Sequence, residues 1–140
     1  MAANPSTKNA HEQLIARLLA NLPTGYTAST VEMPNYPFTT PSNTKWMRAT
    51  PIEQVNTNVQ AGINPWQRKE GLFVVDIFYP LGAGGNDNVL EAEQIQALFQ
   101  NKSFGGVDTQ EALIEIPGKE DSWYHTQVSI DYTYEGITNG

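Results

Sequence analysis

The chain has no cysteine. That excludes a disulfide framework, thiol chemistry and cysteine-based zinc or iron–sulfur sites. Basic residues are also scarce, 8 Lys+Arg against 15 Asp+Glu. A nucleic-acid binder uses Lys and Arg to displace counterions from phosphate, and a net charge of -7 lacks that footprint. Long apolar runs are missing too. The longest, Leu72 to Ile77, is broken by Asp76 and is far too short to span a bilayer. The opening stretch MAANPSTKNAHEQ has no apolar core of the signal-peptide kind. These absences lead us to expect a soluble globular protein used without secretion, with no membrane partner.

The 140 residues that are there suit one domain, which buries roughly two-thirds of its unfolded surface. Charge is distributed unevenly. Residues 1–70 hold six basic and four acidic side chains, and residues 71–140 hold two and eleven, so the halves carry +2 and -9.

Residues 1–7 are small and polar and read as a flexible arm, as do residues 136–140 at the other end. The domain is expected over 8–135. A first helix is predicted from Lys8 to Leu22, because Leu14, Ile15, Leu18, Leu19 and Leu22 form one apolar stripe. Asn9 is its expected N-cap, with Glu12 at capping-box spacing. Pro23 and Gly25 end it. A short strand fits 26–32. Pro34, Pro37 and Pro41 then make Met33 to Asn43 a long exposed loop. Thr44 to Thr50 reads as a strand, continued by Ile52 to Val59, and Gly62 to Lys69 reads as a turn. Gly71 to Pro80 is the strongest strand, apolar on both faces and so expected in the middle of a covered sheet. A Gly-rich turn over Leu81 to Asn88 opens a second helix, capped by Asp87 or Asn88 and packed through Leu90, Ile95, Leu98 and Phe99. Glu91 and Glu93 in its first turn suit the helix dipole. Gly105-Gly106 breaks the chain. Gln110 to Ile116 and Ser122 to Tyr134 are expected to form a hairpin around Pro117-Gly118. The expected fold is α+β: a mixed, mainly antiparallel sheet of about four to six strands with two helices packed on it and a C-terminal β-hairpin.

No catalytic constellation stands out. The Gly82-Ala83-Gly84-Gly85 turn could hold phosphate on a helix N-terminus, but no Lys-Ser/Thr follows, and Asp87, Glu91 and Glu93 would repel an anion. A tight strand-to-helix turn is the better reading. His125, Ser129 and Asp131 share one strand face, yet parallel side chains do not converge on a reacting atom. His11 sits near a helix start, where exposure is expected. Asp76 interrupts a buried strand, and a partner among Arg48, Arg68 and Lys69 is favoured over a catalytic or interface role, because an unpaired buried carboxylate is costly. Trp46 and Trp66, in or beside loops, are either interface anchors or satellite core. No cofactor or metal is expected, and no enzyme activity.

The stretch Arg68 to Gly85, RKEGLFVVDIFYPLGAGG, carries a basic pair, Gly, an apolar strand with Phe-x-Val and a Pro-x-Gly exit into a helix. It resembles the tail terminator family of long-tailed bacteriophages. The helix HEQLIARLLANLP and the closing segment ALFQNKSFGGVDTQEALIEIPGKEDSWYHTQVSIDYTYEG fit the same plan, so the likeness spans about residues 8–135. The Pro-rich loop at 33–43 is the least family-like part.

The resemblance implies a structural virion protein with no cofactor. It would cap the head-proximal end of the tail tube as a ring, usually six subunits, stop tube polymerisation and present a surface for head joining. The implied partners are further copies of the chain, the tail tube protein and a head-completion or connector protein. Genomic DNA would pass through the lumen without specific binding. A cyclic ring joins one patch to a different patch on its neighbour, and unlike charges fix register. Arg48, Arg68 and Lys69 are therefore the expected donors, and Glu91, Glu93, Glu111 and Glu115 the expected acceptors. The loops holding Tyr36, Pro37 and Phe38, and Gly84, Gly85, Asn86 and Asp87, are the expected axial contacts. Competing readings are another neck or tail-completion protein, or a small-ligand binding module.

Overall fold

A computed structural model describes residues 6–58 and 66–137. The first helix, α1, runs Thr7–Ala20 and buries Ala10, Leu14 and Leu18, one residue per turn. Its cap is Ser6 rather than Asn9: the Ser6 hydroxyl accepts from the Asn9 N–H at 3.0 Å. Asn9 lies inside the first turn and its amide donates to the Gly105 carbonyl. Ser6 and Thr7 thus belong to the helix, and Gly136 and Ile137 to the last strand. The remainder of the expected arm and tail, 1–5 and 138–140, lies outside the described residues.

A 3₁₀ turn at Ala28–Thr30 leads into β1, Val31–Glu32. The other strands are β2 (Trp46–Asn58), β3 (Trp66–Pro80), β4 (Ser103–Phe104), β5 (Val107–Glu120) and β6 (Trp123–Ile137), with α2 (Asp87–Phe99) between β3 and β4. They form one six-stranded mixed sheet in the order β1-β2-β3-β6-β5-β4. β1 runs parallel to β2, and the other four pairings are antiparallel. As its composition demands, β3 is central, flanked by β2 and β6. It begins at Trp66, not Gly71, so Trp66 to Lys69 is strand where a turn was expected. The rest of that turn and Val59 fall at 59–65, outside the described residues.

Two expectations about the hairpin change. The reversal lies at Asp121-Ser122, between paired Glu120 and Trp123, with Asp121 at φ 53. Pro117-Gly118 sits inside β5 at a register shift between Glu115 and Gly118. A bulge absorbs the proline there without ending the strand. Gly105 and Gly106, both with positive φ, form the two-residue β4–β5 turn.

The core lies between the helices and one sheet face. Phe73, Val75 and Ile77 of β3 meet Met47 and Ala49 of β2 and Val128, Ile130, Tyr132 and Tyr134 of β6. α2 contributes Ala92, Ile95 and Phe99. Its buried stripe also includes Asn88 and Glu91, whereas Leu90, expected inside, is 53 % exposed. Gly71 is required where it stands: a Cβ would come 2.5 Å from both the Ile52 carbonyl oxygen and the Tyr132 ring.

Candidate functional site

The helix side carries a buried polar clamp. Glu91 reaches in from α2, Lys45 from the segment before β2, Tyr26 from the loop after α1, and Tyr79 from β3. The Tyr26 hydroxyl donates to one Glu91 oxygen at 2.6 Å, and the Lys45 ammonium takes the other. Lys45 also donates to the Thr24 carbonyl and lies over the Tyr26 ring. Burial first, then the Glu91 carboxylate, pushes the Tyr26 and Tyr79 phenols up. They stay neutral donors at ordinary pH. Every group in this cluster is satisfied by another, so it fixes α2 on the sheet.

The opposite sheet face has no helix on it among the described residues. At one end Trp46 stacks on Phe78 at 4.3 Å and meets Trp123 edge-on, and Phe78 stacks on His125. Phe38, from the Pro-rich loop, packs on Trp46. Asp76 lies among these rings, with His125 Nε2 at 2.6 Å and the Gln127 amide at 2.9 Å. Its partners are therefore on β6, not Arg48, Arg68 or Lys69. The antiparallel register decides this by placing Gln127 directly beside Asp76 and His125 beside Phe78. Glu120 faces the other imidazole nitrogen at 3.1 Å. This is an imidazole between two carboxylates, and Ser129 lies further along the same strand face. Among the described residues, no set of three or more metal-binding side chains converges.

The expected interface residues scatter. Trp46 is buried in the aromatic stack, so of its two readings it fills the satellite core. Trp66 opens β3. Arg48 pairs with Glu32 at 2.7 Å, and Arg68 with Glu135 at 3.1 Å, both partly in solvent. Lys69 donates to the Thr7 hydroxyl. Glu91 is buried in the clamp and is not presented to a neighbour. Glu93, Glu111 and Glu115 are exposed. Tyr36 and Pro37 are exposed, while Phe38 is half-buried on Trp46. Tyr36 borders a groove of about 990 Å³ with Ile15, Leu19, Met33 and Pro51. It thus flanks the β2 edge, away from the exposed Gly84-Gly85-Asn86-Asp87 turn beyond β3. His11 is half-buried, 3.6 Å from Glu53.

Sequence reasoning missed Lys45 and Tyr26 as partners of Glu91. The one available signal was the position of Glu91 on the same α2 stripe as Asn88, Ala92 and Ile95. It also missed a concave acidic patch on the helix-free face, lined by Glu70, Asp108, Asp131 and Glu135 with Arg68.

Residues 10–132 match the family described as phage tail terminator protein. The chain belongs to that family. One solved structure has the same fold, with a TM-score of 0.69 over 96% of this chain and 97% of the other at 20% identity. No curated protein matches. This terminator-family chain is thus a structural protein of the phage tail, with its place in the virion tail. Among its described residues no helix is long and apolar enough to cross a membrane.

Proposed function

We propose that this protein caps the head-proximal end of the phage tail tube as a homo-oligomeric ring of six subunits. The cap halts tube polymerisation and offers the surface on which a head-completion or connector protein docks. Membership of the terminator family carries this reading. The structure supports a rigid building block: the Glu91 clamp on one sheet face and the Asp76–His125 contact on the other are both made within the chain.

The charge asymmetry supports a bore as well. Glu70, Asp108, Asp131 and Glu135 gather on the helix-free face, while the Lys45 and Glu91 charges neutralise one another on the helix side. A ring that turns the acidic face inward lets duplex DNA pass, because like charge keeps phosphate off the wall.

The test is incubation with purified tail tubes under conditions that allow growth. The expected result is a ring at one tube end in negative stain and growth arrested at that end only. Binding to heads or connectors, with tubes left growing at both ends, would instead identify another neck or tail-completion protein.

A further inference from the structure

The sheet is open at both sides. β1 pairs with β2 only at Met47 and Arg48, and the loop carrying Asn35 and Tyr36 runs beside Ala49 and Thr50. From Ile52 onward the outer edge of β2 has no strand beside it among the described residues. At the other side, β4 pairs with β5 only at Val107 and Asp108. The Ala112 carbonyl is taken by the Gln96 amide at 2.8 Å, and from Leu113 onward β5 has no outer strand among the described residues. Exposed edges of this length ordinarily invite pairing with another chain.

Both edges also expose apolar side chains. Ile52 and Val55 are 42 % and 46 % exposed, and Leu113 and Ile116 are 60 % and 48 % exposed. By register, Ile52, Val55, Leu113 and Glu115 lie on the same helix-free face, since they pair with Leu72, Glu70, Ser129 and Gln127. Each edge carries one proline and one register shift: Pro51 with the shift at Glu53/Val55, and Pro117 with the shift at Glu115/Gly118. Prolines and bulges restrict strand addition. They leave a short matching window on each side rather than an open template.

We infer that the free β2 edge, from Ile52 to Asn58, is the docking site for the free β5 edge, from Leu113, of a second copy of this chain. This rests on the ring reading above and specifies its joint. The two patches differ and lie on opposite sides of one sheet, as a closing head-to-tail contact requires. Strand sense follows from topology. Three successive antiparallel pairings separate β2 from β5, so the two run in opposite directions. A neighbour set edge to edge in the same orientation keeps that relation, and the joint is antiparallel. In that sense a register that sets Leu113 opposite Val55 carries Glu115 to Ile52, within the stretch of β2 that β1 and the loop at Asn35 and Tyr36 leave free. This register places the exposed Leu113 and Val55 side chains in apolar contact.

The absence of native cysteine allows a direct test. Neighbouring strands lie about 4.8 Å apart, within disulfide reach. Four double variants are made: Leu113→Cys/Val55→Cys, Glu115→Cys/Ile52→Cys, Leu113→Cys/Ile52→Cys and Glu115→Cys/Val55→Cys. Each is bound to tail tubes, oxidised mildly and run on a denaturing gel without reductant. The first two are expected to give ladders of covalent multimers, with yields several-fold above the last two. Rings visible on tubes without this preference would overturn the joint while leaving the ring reading standing. If no variant and no wild-type chain forms rings on tubes, the ring reading fails and the joint with it.

Discussion

Glu91 shows what one side chain does in this fold. Its carboxylate is almost wholly buried and its two oxygens are divided between Tyr26 and Lys45. Removing one partner of such a pair leaves an uncompensated charge. Lys45 keeps about a quarter of its side chain in solvent, which softens the loss. Glu91→Gln should therefore cost about 2–3 kcal/mol, read as a drop in the urea midpoint with unchanged slope. A loss below 0.5 kcal/mol would mean that the pair contributes nothing net. The phenols make a second prediction. In the folded chain Tyr26, Tyr79, Tyr132 and Tyr134 are all pushed up, burial being the first cause for each. An acid raised on folding holds its proton more tightly in the native state. Its stability contribution is complete below the unfolded tyrosine value of about 10 and is lost as pH rises above it. The denaturation midpoint should thus fall steeply above about pH 10, more steeply than in a Tyr26→Phe variant, followed by circular dichroism. The Asp76–His125 contact on the other face is testable by a double-mutant cycle. Asp76→Asn and His125→Gln should show a coupling of about 1–3 kcal/mol. Additivity within error would show that the two side chains are merely neighbours.

At the scale of elements, the central strand depends on one missing side chain. Gly71→Ala would press a methyl group into the Ile52 carbonyl and the Tyr132 ring. The expected cost is about 1–3 kcal/mol. Tyr132→Leu in the same chain should not rescue it, because the β2 backbone still blocks the methyl; full rescue would locate the clash in the ring alone. This dependence was not legible in the sequence, where Gly71 marks only the start of an apolar run. The strand itself was legible, because apolar residues on both faces leave no other place than the middle of a sheet. The alternation from Tyr124 to Tyr134 likewise located the inner face of β6 from Thr126 onward, but Tyr124, expected in the core, is 40 % exposed. What failed was local punctuation. Pro117-Gly118 carries a strong turn signal, but pairing with β6 on both sides outweighs it, and the chain bulges instead of turning. Leu90 failed for a related reason: hydrophobicity nominated it, while geometry gave the inner stripe to Asn88 and Glu91, whose polar groups find Thr126 and the Tyr26–Lys45 pair. The partner of Asp76 depended on register between strands some fifty residues apart, which no local pattern contains. The charged interface residues were nominated by charge alone, and folding gave several of them partners within the chain.

For the whole molecule, the consequence of charge is positional. A net charge of -7 says only that the chain is acidic. The fold concentrates Glu70, Asp108, Asp131 and Glu135 in one concavity beside a single Arg68, on the face that no helix covers among the described residues. If that face lines the bore, its function is to keep DNA phosphate in solution. Replacing all four acids by Lys converts the concavity to a cationic one without touching Ile52, Val55, Leu113 or the Glu91 clamp. Ring formation on tubes should persist. Affinity for a short duplex should rise from undetectable to measurable in fluorescence anisotropy at low salt. It should fall linearly in log salt, with a slope of about -0.9 for each phosphate neutralised. The orientation is decided by comparing isolated subunits with assembled rings. Lysines facing the bore are reached in a ring only by threading, so long circular duplex, which cannot thread, should bind the variant subunit but not the variant ring. Equal binding of circular DNA by subunit and ring would place the acidic face on the outside and remove the repulsive bore from the account.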